Sequence, residues 1–127
     1  MRRLVPAGSL LASVSFLAAC STSPLVWSNG TQEITGVYGD RHCETQNVQF
    51  LNLDGSQFAM DPEHQMPADA IDGTFESDAT LPAVATDSGF RSGTKELWQV
   101  PDASAIYVVG AKATERWPAV APNYGCD

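Results

Sequence analysis

The sequence predicts a mainly β domain, one small antiparallel sheet or open barrel of about five strands with a long irregular acidic loop. Three observations carry this expectation. The chain has 127 residues, enough for one small domain. Two segments carry hairpin signals. Between them lies a stretch crowded with proline, glycine and acidic residues, where regular strands are disfavoured.

The first hairpin runs through Val48, Phe50, Leu51 and Leu53 into Asp54-Gly55, then on through Phe58 and Met60 to Asp61-Pro62. Asp-Gly between apolar runs is a strong hairpin signal, because both central residues of a type I′ turn need positive φ. The change of phase between Phe50 and Leu51 predicts either a bulge or a strand buried on both faces. In the second hairpin, Leu97-Trp98-Gln99-Val100 leads into Pro101-Asp102-Ala103-Ser104. The return is Ala105-Ile106-Tyr107-Val108-Val109, rich in β-branched and aromatic residues. Proline at the first corner with aspartate after it favours a type I turn in a four-residue loop. Gly110-Ala111-Lys112-Ala113 turns the chain again into a third strand, Thr114 to Trp117, which Pro118 stops. Ile34 to Tyr38 reads as a further strand before Gly39.

Residues 61–94 contain Pro62, Pro67, Asp72-Gly73, Pro82, Ser88-Gly89 and Ser92-Gly93, and few large apolar groups. A structureless loop of this length is unusual in a compact domain. A short helical turn is expected near Ala68–Ile71, with Phe75, Leu81, Val84 and Phe90 holding the segment to the sheet.

Composition limits function. The chain is 43% hydrophobic and 17% charged, a globular mixture. Seven basic residues against 15 acidic give a formal charge of −8, which argues against a nucleic-acid partner. The N-terminus reads as a targeting segment. Arg2 and Arg3 precede a ten-residue apolar run from Leu10 to Ala19. Crossing a membrane takes about 20 apolar residues, so this run has the length of a secretory h-region and not of a permanent span.

Leu17-Ala18-Ala19-Cys20 resembles the lipobox of bacterial lipoproteins. The resemblance covers about the first 20 residues, with n-region, h-region and lipobox in order. It implies cleavage before Cys20, diacylglycerol on the Cys20 thiol and often acylation of the new amine. Residues 1–19 are then the signal peptide, 20–32 the lipidated cysteine and a small polar tether, and 33–127 the β domain. Trp27 is the exception within the tether, and either meets the membrane interface or caps the domain. Removing 19 of 127 residues leaves 108. Losing Arg2 and Arg3 leaves five basic side chains against 15 acidic, and a formal charge of −10. Anionic head groups repel such a chain, so the lipid must supply membrane attachment.

With Cys20 lipidated, Cys43 and Cys126 are expected to form one disulfide that closes the domain. The chain has no Cys-x-x-Cys, and His42 next to Cys43 is poorly spaced for a metal on a strand. A second resemblance rests on Tyr38, Gly39, His42 and Cys43, then Leu97-Trp98, then Glu115-Arg116-Trp117-Pro118, and finally Gly125-Cys126. This order is similar to small lipoproteins of high-GC Gram-positive bacteria. It implies anchoring on the outer face of the plasma membrane and no particular chemistry.

Chemistry-bearing residues are few. His42 and His64 are the two histidines, and His64 lies in the acidic Asp61-Pro62-Glu63-His64 stretch. A histidine beside carboxylates suits a general base or metal site, but a solvated loop histidine is the commoner case. Asp69, Asp72, Glu76 and Asp78 are dense enough to suggest calcium, yet the EF-hand order is absent. No nucleophile elbow, phosphate loop or zinc-protease motif occurs. Trp98, Tyr107 and Trp117 lie on neighbouring expected strands. They form either an aromatic ligand face or cross-strand and core packing. The expectation is therefore a lipid-anchored extracytoplasmic protein of the cell envelope, a non-enzymatic accessory or interaction module that needs no cofactor and no metal. The alternative is a ligand-binding lipoprotein for glycan, peptide or divalent cation, using the aromatic face or the acidic loop.

Overall fold

The computed structural model describes residues 23–39, 45–122 and 124. Cys20, His42, Cys43 and Cys126, and with them the expected signal peptide, lipobox and disulfide, lie outside the described residues. Nine strands are present among the described residues: β1 (Val26–Ser28), β2 (Glu33–Thr35), β3 (Val37–Tyr38), β4 (Gln49–Leu53), β5 (Ser56–Met60), β6 (Thr86–Ser92), β7 (Lys95–Gln99), β8 (Ala105–Val109) and β9 (Thr114–Pro118). They make a six-stranded sheet, β2-β1-β6-β7-β8-β9, and a three-stranded sheet, β3-β4-β5. Every paired neighbour is antiparallel. The mainly β, antiparallel expectation holds. The single sheet of about five strands is corrected to two sheets.

Both hairpins form where the turn chemistry places them. Asp54 and Gly55 take φ of 52° and 82°, as the type I′ turn requires, and β4 and β5 pair without a register break from Gln49↔Met60 to Leu53↔Ser56. The phase change at Phe50 reflects burial on both faces. Leu51, Leu53 and Phe58 enter the main core, whereas Val48, Phe50 and Ala59 join a second, smaller cluster. In the other hairpin the Ala103 amide donates to the Val100 carbonyl at 3.1 Å, closing the turn after Pro101.

Four strands, β1, β2, β3 and β6, differ from expectation. Ile34 to Tyr38 is split at Gly36 into β2 and β3, one in each sheet. Gly36 is buried, and a Cβ there would run into the Gln49 side chain. Only glycine lets the chain pass this close. Gln49 Oε1 in turn accepts the Leu25 amide at 3.0 Å, which ties the start of the domain to the second sheet. β1 lies within the tether expected over 20–32, because Trp27 at its centre is fully buried. β6 lies within the expected loop over 61–94. Its composition, Thr-Asp-Ser-Gly-Phe-Arg-Ser, has little strand propensity, and pairing to β1 and β7 on its two edges supplies the order. Gly89, at φ 89°, sits where the β6–β7 register shifts, and Gly93 (φ 61°) opens the two-residue turn to Lys95.

The irregular stretch is thus 61–85, with its one helical element a 3-10 turn at Ala68–Ala70, where a turn is expected. Phe75 is buried in the main core, as is Phe90 from β6. Leu81 is half-buried, but Val84 is 63% exposed and holds nothing down. Asp61 anchors the beginning of this stretch. It is buried, and its two carboxylate oxygens accept the amides of Gln65 at 2.8 Å and Met66 at 2.9 Å. Substituting alanine strands both donors, so Asp61→Ala is expected to destabilise the protein by about 2–3 kcal/mol, read as a lower urea midpoint. Asp61→Asn should recover little of this, because an amide nitrogen cannot accept the second N–H.

Trp27 and Trp117 meet edge-to-face at the centre of the main core, with ring centroids 6.4 Å apart and planes at 83°. The second sheet joins the first beyond β9. Phe58 bridges to Ala119, and the Val120 amide donates to the Gln57 carbonyl at 2.8 Å.

Candidate functional site

Cross-strand register decides the aromatic face. Trp98 pairs with Tyr107, and Tyr107 with Arg116, so these three share one face of the large sheet. Trp117 pairs with Ile106 and points to the other face, into the core. Of the two readings of Trp98, Tyr107 and Trp117, core packing holds for Trp117, and the candidate ligand face is corrected to Trp98 and Tyr107 alone. Arg116 and Trp117 are adjacent in β9, and side chains alternate along a strand. A row across the outer face now reads Asp87, Trp98, Tyr107, Arg116 and Glu76.

Trp98 is half-buried, and its Nε1 donates to Glu96 Oε1 at 3.0 Å. Tyr107 is 8% exposed, at the edge of a groove of about 340 Å³. Pro82, Val84, Val100 and Pro101 supply the apolar walls, with Ser104 and Asp102 as polar neighbours. The Asp102 carboxylate accepts the Ser104 amide at 3.0 Å and the Ser104 hydroxyl at 2.8 Å. Those bonds favour the charged form and lower its pKa below the usual carboxylate range. Pro82 and Val84 come from the irregular stretch, and no local signal in the sequence links them to Tyr107.

Arg116 has a structural task on the same face. Its Nη1 donates to the carbonyls of Asp72 at 2.8 Å and Thr74 at 3.1 Å, and its backbone exchanges hydrogen bonds with Glu76 at 2.9 and 3.1 Å. Residues 72–79 thereby cover the free edge of β9. Gly73 (φ 82°) passes so close that a Cβ would meet the guanidinium at 2.8 Å. Arg116→Ala is expected to cost about 2 kcal/mol, the usual scale for hydrogen bonds to a charged group. Amide exchange at Glu76 and Ala79 should accelerate more than exchange in β4 and β5. Arg116→Lys should restore only part of the protection, since one ammonium does not reproduce the forked geometry.

The acidic residues do not assemble into a cation site. Asp69 and Asp72 border a shallow cleft of about 480 Å³ with Ile71, Gly73 and Val120, while Glu76 is exposed on the β9 edge and Asp78 lies beyond it. No group of three or more His, Cys, Asp or Glu is placed to hold a metal among the described residues. His64 is exposed in the turn after Asp61, with φ 54°, and its amide donates to the Asp61 carbonyl at 3.1 Å. Elsewhere, a hydrogen bond from Arg91, with the Gly89 amide adding to it, holds the Asp87 carboxyl down at about 2. This pair is stabilising above the ordinary carboxylate pKa and loses its effect as pH falls toward 2. Solvent screening keeps that effect small, because the two side chains are 41% and 35% exposed.

Among the described residues no helix is long and apolar enough to cross a membrane. No family model matches the chain, and no curated protein or solved structure is significantly similar to it.

Proposed function

We propose that this is a lipid-anchored extracytoplasmic protein of the cell envelope, a non-enzymatic accessory or interaction module held to the membrane through acylated Cys20. The order of Arg2-Arg3, the apolar run Leu10 to Ala19 and Leu17-Ala18-Ala19-Cys20 carries the reading. Two or three acyl chains anchor stably where one is marginal. The fold adds a consequence. β1 begins six residues after Cys20, so an extended connection reaches about 20 Å at most and keeps the domain close to the bilayer. Closure of the domain by Cys43–Cys126 belongs to the same proposal.

Intact mass of protein extracted from the membrane fraction, with and without reduction, tests it. The expected mass is that of residues 20–127 plus acyl groups, gaining two hydrogens on reduction. An unlipidated mass overturns the anchor, and an unchanged mass on reduction overturns the disulfide.

The groove beside Tyr107 favours one second reading, a ligand-binding lipoprotein for glycan or peptide. Thermal shift with cell-wall fragments distinguishes it. Ligand well above its Kd must raise apparent stability by mass action, so no shift at millimolar ligand removes this reading.

A further inference from the structure

The Tyr107 groove lies beside a strap that crosses the outer face of the large sheet. The Ala79 amide donates to the Thr114 carbonyl at 2.7 Å at the start of β9, and Thr86 pairs with Gln99 at the end of β7. Residues 80–85 therefore run over β8 and β7, with the Ala85 amide donating to the Pro82 carbonyl at 3.0 Å. Pro82 and Val84 from this strap share the groove with Val100 and Pro101, and Tyr107 lies beneath them. Val84, 63% exposed, forms an apolar rim.

Charge is divided between the two ends of this sheet. Lys95 and Lys112 lie at the β6–β7 and β8–β9 turns, the end opposite the 100–104 turn. The other two Lys and Arg side chains among the described residues are engaged, Arg91 with Asp87 and Arg116 with the Asp72 and Thr74 carbonyls. The groove end instead carries Asp102, and Asp54 beside Gln99. Two bonds from Ser104 hold the Asp102 carboxylate ionised. Among the described residues no cationic side chain lines the groove.

We infer that the groove receives an extended basic peptide segment, with a prolyl or aliphatic side chain seated between Val84, Val100 and Tyr107 and a neighbouring lysine or arginine against Asp102. The inference rests on the ligand-binding reading given above and names the ligand class. Charge complementarity sets the sign of the partner. An ionised carboxylate in a groove without a lining cation attracts cations and repels anions, and the formal charge of −8 adds the same bias at longer range. Shape selects peptide over glycan. A sugar ring packs its C–H face on a broad exposed aromatic ring, but Tyr107 is 8% exposed and Trp98 is half-buried with its Nε1 tied to Glu96. Walls of proline and valine match an aliphatic or prolyl side chain instead. A segment already near the polyproline conformation also loses little freedom on binding. A second copy of the chain is the weaker occupant, since it brings a like net charge.

The test is isothermal titration calorimetry of the full-length protein in nonionic detergent with a capped hexapeptide alternating lysine and proline. This peptide should bind about tenfold tighter than its glutamate–proline counterpart, the scale of reversing charge at a complementary site. Glycine in place of proline should weaken binding about fivefold, which separates seating in the groove from general attraction to an acidic protein. Val84→Ser and Asp102→Asn should each weaken binding about fivefold with the circular dichroism spectrum unchanged. Both side chains are exposed, and the asparagine oxygen still accepts from Ser104. Equal affinity for the lysine and glutamate peptides, or affinity unmoved by both substitutions, overturns the inference. Binding of an N-acetylglucosamine oligomer that Val84→Ser weakens, with no binding of the basic peptide, overturns the peptide class and leaves the ligand-binding reading standing. Neither heat nor thermal shift with either probe overturns the inference and that reading together.

Discussion

Trp27→Ala is expected to lose about 3–5 kcal/mol of stability, the range for deleting a large aromatic from a packed core. Trp27 is fully buried and meets Trp117 edge-to-face, so the substitution opens a cavity that its neighbours across β9 cannot fill without moving. Against a typical domain stability of roughly 5–15 kcal/mol, this brings the protein close to unfolding at ambient temperature. Urea denaturation followed by circular dichroism measures it. Trp27→Phe keeps a ring against Trp117 and should lose clearly less. A tether residue would give no change at all, so an unaltered midpoint would contradict the placement of β1 in the sheet.

Reduction of the proposed Cys43–Cys126 disulfide is expected to cost about 4–5 kcal/mol, the chain-entropy value for a closed loop of this length. The loop holds 84 residues and encloses both hairpins and the irregular stretch. Val48, five residues after Cys43, and Tyr124, two before Cys126, pack in the same small cluster with Met66 and Val120. Denaturation midpoints with and without reductant should differ accordingly, and Cys43→Ser together with Cys126→Ser should reproduce the reduced value in either buffer. Identical midpoints would mean that both thiols are free. Loss on reduction should also be global, since the bond constrains the unfolded chain and not one strand.

Asp61 and Arg116 show how far sequence reading reaches toward such effects. Asp61-Pro62 reads as the end of a strand, and it is one. Burial of that carboxylate against two amides depends on how Met66 packs, which nothing local specifies. Arg116 sits in Glu115-Arg116-Trp117-Pro118, a run whose residue order alone carries no hint of its task. Its hold on Asp72 and Thr74 spans more than 40 positions of chain. Trp117 and Glu115 complete the motif's structural use, with Nε1 donating to Oε1 at 2.9 Å. The candidate site was half legible. Trp98 and Tyr107 stand side by side as the strand order predicts, the core-packing alternative holds for Trp117, and Pro82 and Val84 carry no local signal.

The mainly β class, both hairpins with their turns and the helical turn at residues 68–70 are legible along the chain. Each of these rests on conformational preferences of adjacent residues: positive φ at Asp54-Gly55, fixed φ at Pro101, β-branched runs in β8. Long-range contacts put Trp27 in the core, divide Ile34 to Tyr38 between two sheets, turn a serine- and glycine-rich segment into β6 and face Trp117 away from Trp98. These outcomes depend on partners distant in the chain. Ser28 opposite Arg91, Gln49 against Gly36 and Trp27 against Trp117 gain their hydrogen bonds and burial only when those segments meet, and local propensity is too weak to oppose them.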